Sequence, residues 1–198
     1  MSYLRDAFDG HAWPLAPDFV NHVSAKQIST IEAMLAGGIN TVQTSSCGRL
    51  FDAVASLVGL RQEANFEGQA AIELEMIADP AVEEAYPFEI AGEPWQVDFR
   101  PMVQRIVREG RPRAWVAAAF HNTIAAVIVE VCRRLRAAEG LNRVCLSGGT
   151  FQNVLVLERT LHGLRRLDFE VFLHALVPPN DGGLALGQAV VAQGMLRL

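Results

Sequence analysis

The sequence predicts an α/β fold in which helices flank a mixed sheet, and three patterns carry that prediction. The last third alternates two short apolar runs, "RVCLS" and "FEVFLHA", with two stretches of helical periodicity. The stretch "YPFEIAGEPWQVDFRP" places Phe88 and Ile90, then Trp95, Val97 and Phe99, on alternate positions either side of a Gly-Glu-Pro turn, which reads as a hairpin. A long apolar segment from about Pro112 to Ala138 has a proline at its first turn and Gly140 just past its end, the punctuation of a helix.

Residues 1–24 show no periodic pattern and are expected as an irregular N-terminal segment. Ser24 then stands as an N-cap before Ile28, Ile31 and Leu35 at helical spacing, and Gly37-Gly38 form the stop. An extended piece, "NTVQTSS", leads to a second helix with Phe51, Val54, Ala55 and Val58 on one stripe. A further helix follows "NFEGQ". After the hairpin come "MVQRIVREG" and the long helix. The first apolar run of the last third then precedes a helix carrying Val154, Leu157, Leu161 and Leu164 on one stripe, and the second precedes "GGLALGQAVVAQGML". A strand-helix-strand order requires a crossover, so those two strands should be parallel. No repeat, low-complexity tract or linker interrupts the 198 residues, which are expected to form a single domain.

Composition narrows the function. Half of the residues are hydrophobic, the net charge is −5, and Lys26 is the single lysine, so the chain has no basic footprint for nucleic acid. The apolar run "AWVAAAFHNTIAAVIVEVC" is broken by His121, Asn122 and Thr123 and runs into "RRLRAAEG", which favours a buried helix over a membrane span. The three cysteines, Cys47, Cys132 and Cys145, are widely spaced, unlike a disulfide framework or a zinc site. The first residues lack a basic stretch followed by an apolar one, so no signal peptide is read and a reducing cytoplasm is the expected setting.

Several short stretches could carry chemistry. In "CLSGGTFQN" a strand ends in Ser147-Gly148-Gly149 and opens into a helix, presenting backbone amides where a helix N-terminus favours a phosphate, with Asn153 one turn inside. The same residues equally describe a tight strand-to-helix turn. In "TSSCGRLFDAVASL", Gly48, Arg49 and Asp52 share one helix end, fit for a phosphate, a ribose hydroxyl or a metal, or for an intrahelical Arg-Asp pair. Glu67 and Gly68 precede an apolar helix, where capping is the simpler role. His121 on an apolar helix is expected as a satisfied core histidine, and Cys145 and Cys132 as buried residues. Asp181, between a Pro pair and a Gly pair, is an N-cap by position, and one carboxylate alone makes no metal site.

In order and spacing, "TSSCGRLFDAVASLVGL", "FEGQAAIELE", "AAFHNTIA", "VCLSGGTFQNVLVLE" and "PPNDGGLALGQAVVA" resemble the C-terminal part of the HypF family, from about Ala25 onward. That family comprises the carbamoyltransferases of [NiFe]-hydrogenase maturation, related to TsaD-type tRNA-modifying proteins. The resemblance implies a ribonuclease-H-like lobe of the actin, sugar kinase and Hsp70 superfamily, in which nucleotide binds between two lobes. It implies use of carbamoyl phosphate and ATP, formation of a carbamoyl-adenylate, and transfer of the carbamoyl group to the C-terminal cysteine thiol of a HypE partner.

By motif, Gly148, Gly149 and Asn153 correspond to nucleotide contacts, with Gly48, Arg49, Asp52, Glu67 and Gly68 lining the same cleft. Asp181 corresponds to a carboxylate ligand of a divalent metal, whose identity the sequence does not specify. No residue is assigned as catalytic. Absent from this chain are the family's acylphosphatase-like domain, zinc modules, carbamoyl-adenylate-forming domain and other lobe, so the chain should be incomplete alone and should self-associate through uncovered apolar surface. A non-catalytic nucleotide-binding or interaction remnant, and a lobe of a sugar or acid kinase, are the competing readings.

Overall fold

A computed structural model describes residues 1–10 and 21–196 of the chain. Its elements in order are α1 (Ser2–Ala7), α2 (Ala25–Gly37), α3 (Cys47–Leu57), α4 (Gln69–Met76), β1 (Glu89–Ala91), β2 (Gln96–Asp98), α5 (Arg100–Glu109) and α6 (Arg113–Glu139). Then follow β3 (Arg143–Leu146), a 3-10 turn (Gly149–Gln152), α7 (Val154–Arg166), β4 (Glu170–Leu173), a second 3-10 turn (Asp181–Gly183) and α8 (Leu184–Met195). The backbone divides into two compact units, Met1–Thr123 and Ile124–Leu198, with the division falling inside α6.

The first unit is mainly helical. Its N-terminal residues are more ordered than their pattern suggests: α1 is a helix whose Leu4 and Ala7 are buried, and Gln104 on α5 donates to the Ala7 carbonyl at 2.6 Å. The rest of the expected irregular segment, residues 11–20, lies outside the described residues. Ser24 caps α2 and Gly38 ends it at φ 66°, as read from the sequence, and Gln27 adds the return bond of a reciprocal capping box. The stripe on α3 is buried as expected at Phe51, Val54 and Ala55. Phe51 meets Phe120 of α6 edge to face, ring centres 4.7 Å apart. Truncating either ring to alanine should cost about 3–5 kcal/mol.

The hairpin forms, but only Glu89–Ala91 and Gln96–Asp98 pair, antiparallel, with Ile90 opposite Val97. Phe99 is diverted to precede α5 as its N-cap residue. Helix α6 is long and apolar enough to cross a membrane, yet Val116 to His121 are all at most 2 % exposed, the burial expected of a core helix.

In the second unit β3 and β4 pair in parallel, from Arg143 opposite Glu170 to Leu146 opposite Leu173, as the crossover requires. No mixed sheet is formed among the described residues: the antiparallel and parallel pairs are separate two-stranded sheets. Alternation sorts the parallel pair by face. Val144, Leu146, Phe169 and Val171 join Leu164 of α7 and Ile128 and Val129 of α6 in one apolar cluster. Arg143, Cys145, Glu170 and Phe172 are exposed. Cys145 is therefore exposed rather than buried, because it falls on the open face.

On α7 Leu157, Leu161 and Leu164 of the expected stripe pack into that cluster, Val156 and Thr160 are buried as well, and only Val154 departs, 55 % exposed at the helix start. Gly163 allows the close approach of α7 to α6, since a Cβ there would lie 2.7 Å from Val129 Cγ2. Helix α8 has no buried residue, and Leu184, Leu186, Val190, Val191 and Met195 are each more than half exposed.

Candidate functional site

The residues singled out by sequence fall into two clusters, one in each unit. In the first, Ser46 caps α3 by accepting from the Arg49 amide, and Arg49 reaches Asp52 one turn on, Nη2 to Oδ2 2.9 Å. Gly48 sits in the first turn, with only the Ser46 hydroxyl near where a Cβ would be. This is the intrahelical pair that the spacing allows, and with 64 % of the Arg49 side chain exposed it adds little to stability.

Gly68 takes φ 77° immediately before α4, a left-handed conformation that favours glycine. The polar work at that turn is done by its neighbour Gln69, one of the polar residues read from sequence as capping the helix. Gln69 is buried, accepts from the Asn65 amide at 2.8 Å and donates to Glu73 at 2.9 Å. Arg61 also donates to Glu73, Nε to Oε2 2.8 Å. Together Arg61 and Gln69 hold the Glu73 carboxyl below the usual carboxylate range. The signal was available in "RQEANFEGQAAIE", where a buried-face Gln and Glu lie four apart. Glu67 is exposed.

The second cluster gathers at the carboxyl ends of β3 and β4, the end at which ligands bind in parallel sheets. Gly148 has φ 106° and ψ 158°, a region essentially closed to other residues. Its amide donates to the Pro179 carbonyl at 2.8 Å, so it is not bare as the sequence suggests, and this bond ties the "SGG" turn to the "PPNDGG" loop. The strand does not open directly into an α-helix. Gly149 to Gln152 make a 3-10 turn, and Asn153 is the N-cap of α7 rather than a residue one turn inside, its Oδ1 accepting from the Val156 amide at 2.9 Å. Only 9 % of Asn153 is exposed, so its capping role fixes where α7 begins.

The expected cap at Asp181 is also displaced by one residue. Asn180 caps the 3-10 turn, Oδ1 accepting from the Gly182 amide at 3.1 Å, and Asp181 follows as an exposed acid in that turn. The two glycines are required by sterics, not by left-handed backbone: a Cβ on Gly182 would lie 2.8 Å from Pro178 Cγ, and one on Gly183 2.9 Å from the Pro178 carbonyl oxygen. The loop thus folds onto its own proline and leaves the Asp181 carboxylate facing outward. Among the described residues no three His, Cys, Asp or Glu side chains converge on a common point. One carboxylate does not by itself fit a metal.

One contact at this end was not anticipated: Ser147 Oγ and His174 Nε2 lie 2.8 Å apart across the strand ends. His121, by contrast, is the core histidine expected, fully buried with Nδ1 2.6 Å from the Ala117 carbonyl and its ring edge-on to Phe51. A carbonyl only accepts, so Nδ1 carries the proton. Cys132 is half-buried on α6, where desolvation raises its thiol pKa.

Comparison with known proteins places this arrangement. A profile described as carbamoyltransferase, Kae1-like domain, second subdomain matches residues 1–188. The carbamoyltransferase HypF of Synechocystis sp. is 39 % identical over 149 residues, 73 % of this chain and 19 % of that protein. That of Rhizobium leguminosarum bv. viciae is 36 % identical over 170 residues, 85 % of this chain and 22 % of its own length. A crystal structure of full-length HypF in the phosphate- and nucleotide-bound form superposes with a TM-score of 0.85 at 39 % identity, over 92 % of this chain and 25 % of that one. HypF of T. kodakarensis does so with a TM-score of 0.80 at 26 % identity, over 98 % and 27 %. The chain spans about a fifth of the length of these curated relatives, and it belongs to the HypF carbamoyltransferase family.

Proposed function

We propose that this chain is the nucleotide-facing C-terminal lobe of a HypF-type carbamoyltransferase, with a ribonuclease-H-like core built around β3, α7 and β4. The observation that carries the reading is the pair of loops at the carboxyl ends of β3 and β4. Gly148 has a backbone only glycine adopts, and its amide is bonded to the loop that presents Asp181. The likeness to a HypF crystallised with phosphate and nucleotide supports it.

In this reading Gly148, Gly149 and Asn153 form the turn against which ATP or its carbamoyl-adenylate lies. Arg49, exposed in the first turn of α3 with Gly48 and Asp52 beside it, offers a guanidinium that fits a phosphate. Asp181 gives one carboxylate to a divalent cation whose other ligands are not among the described residues. Carbamoyl phosphate supplies the group, and the attacking thiolate belongs to the C-terminal cysteine of a HypE-like acceptor. This chain's role is to bind and orient, and alone it completes no transfer.

Calorimetry with ATP and a divalent cation on the wild type and on Asp181→Ala tests the reading. ATP binding to the wild type is expected, with the cation dependence lost in the variant. Binding of unchanged strength and cation dependence in Asp181→Ala removes Asp181 from the site, and absence of ATP binding to the wild type overturns the nucleotide assignment.

A further inference from the structure

The open face of the parallel pair has a graded composition. Register and alternation set three cross-strand pairs on it: Arg143 with Glu170, Cys145 with Phe172, and, one step beyond the last paired residues, Ser147 with His174. The first is an ion pair, Arg143 Nε to Glu170 Oε2 2.9 Å. The last is the Ser147 Oγ to His174 Nε2 hydrogen bond of 2.8 Å, and it stands at the carboxyl end, directly before Gly148.

Both side chains are exposed, so neither burial nor packing requires the bond. It is placed where the backbone turns aside. A Cβ on Gly148 would meet nothing within 4 Å, so the space over this turn is open to a ligand.

A serine hydroxyl has one proton and two lone pairs. If His174 Nε2 donates to Ser147 Oγ, the Ser147 proton is released to point at a ligand oxygen. If Nε2 instead accepts that proton, the serine can only accept. The adjoining Gly149 and Thr150 amides begin the 3-10 turn, and neither can have an acceptor within it, so donors rather than acceptors gather beside Ser147.

We propose that His174 is a positioning residue, which donates from Nε2 to Ser147 Oγ and so presents the Ser147 hydroxyl as a donor to a phosphate oxygen of the bound nucleotide. This rests on the nucleotide-binding reading above and adds two residues to it.

The test uses the full 198-residue chain in two parts. Long-range 1H–15N correlation of the histidine rings reads the state of His174 without any ligand, and a protonated Nε2 is expected. An unprotonated Nε2 overturns the proposal whatever the chain binds. Calorimetric titration with ADP, and with adenosine as the phosphate-free control, then compares the wild type with Ser147→Ala, His174→Ala and His174→Gln.

Loss of about tenfold or more in ADP affinity is expected for both alanine variants, as for a hydrogen bond to a charged group, with adenosine affinity unchanged. The double variant should lose no more than either single one. His174→Gln, whose amide nitrogen can donate from a similar position, should restore most of the affinity. ADP affinity unchanged in His174→Ala, or adenosine affinity falling equally, overturns the role of the pair while leaving nucleotide binding intact. No ADP binding by the wild type overturns both.

Discussion

The two glycine-bearing clusters look alike in sequence and differ in what their glycines do. At Gly68 the left-handed backbone starts a helix, and the polar atoms around it are consumed locally: Asn65, Gln69, Glu73 and Arg61 bond to one another. At Gly148 the backbone leaves a strand, its amide holds a second loop, and the side chains on either side, Ser147 and Asp181, stay exposed. A motif that satisfies itself is a fold element. A motif that fixes its backbone and leaves side chains outward is the one that fits the proposed nucleotide site.

Substitutions separate the two. Gly148→Ala should give the largest effect, since its φ of 106° costs a side-chain-bearing residue about 1–3 kcal/mol and any relaxation moves the loop bonded to it. ADP affinity, read by calorimetry, should fall with the thermal midpoint. Gly183→Ala should come next, at about 1–3 kcal/mol by overpacking against the Pro178 carbonyl, a backbone atom that cannot swing away. Gly68→Ala should cost about 1 kcal/mol in a urea melt while leaving ADP affinity unchanged. A loss of ADP affinity there would erase the contrast between the clusters.

Smaller effects sharpen the contrast. The Glu73 pKa is depressed in the folded chain, so the stability it contributes is present above the ordinary carboxylate pKa and is lost as pH falls through the folded value. Thermal midpoints across that acid range should therefore fall less steeply in Glu73→Gln. The bare apolar side of α8 predicts self-association, and Val190→Glu should weaken it in sedimentation velocity. A monomer at high concentration in the wild type would refute that prediction.

The elements with long, regular periodicity were legible from sequence: α2 with its Ser24 cap, α3, α6 and the parallel strand pair. What was not legible depends on tertiary context. Cys145 looks buried because its strand is apolar throughout, but exposure is decided by which face has a helix over it, and only the face of Val144 and Leu146 does. Asp181 and Asn180 are both good caps, and in the folded loop it is Asn180 whose Oδ1 accepts from the Gly182 amide. Ser147 and His174 are 27 residues apart, and only strand register brings them together. Within the candidate site, the sequence located the loops, and the structure located the hydrogen bonds.

The proposed nucleotide site lies in the loops of the second unit. Amide chemical shifts of the 15N-labelled chain, followed during titration with ADP, test it most directly. Shifts concentrated at residues 147–153 and 180–183 are expected. Shifts confined to 48–52 and 67–69, or none at saturating ADP, would contradict it.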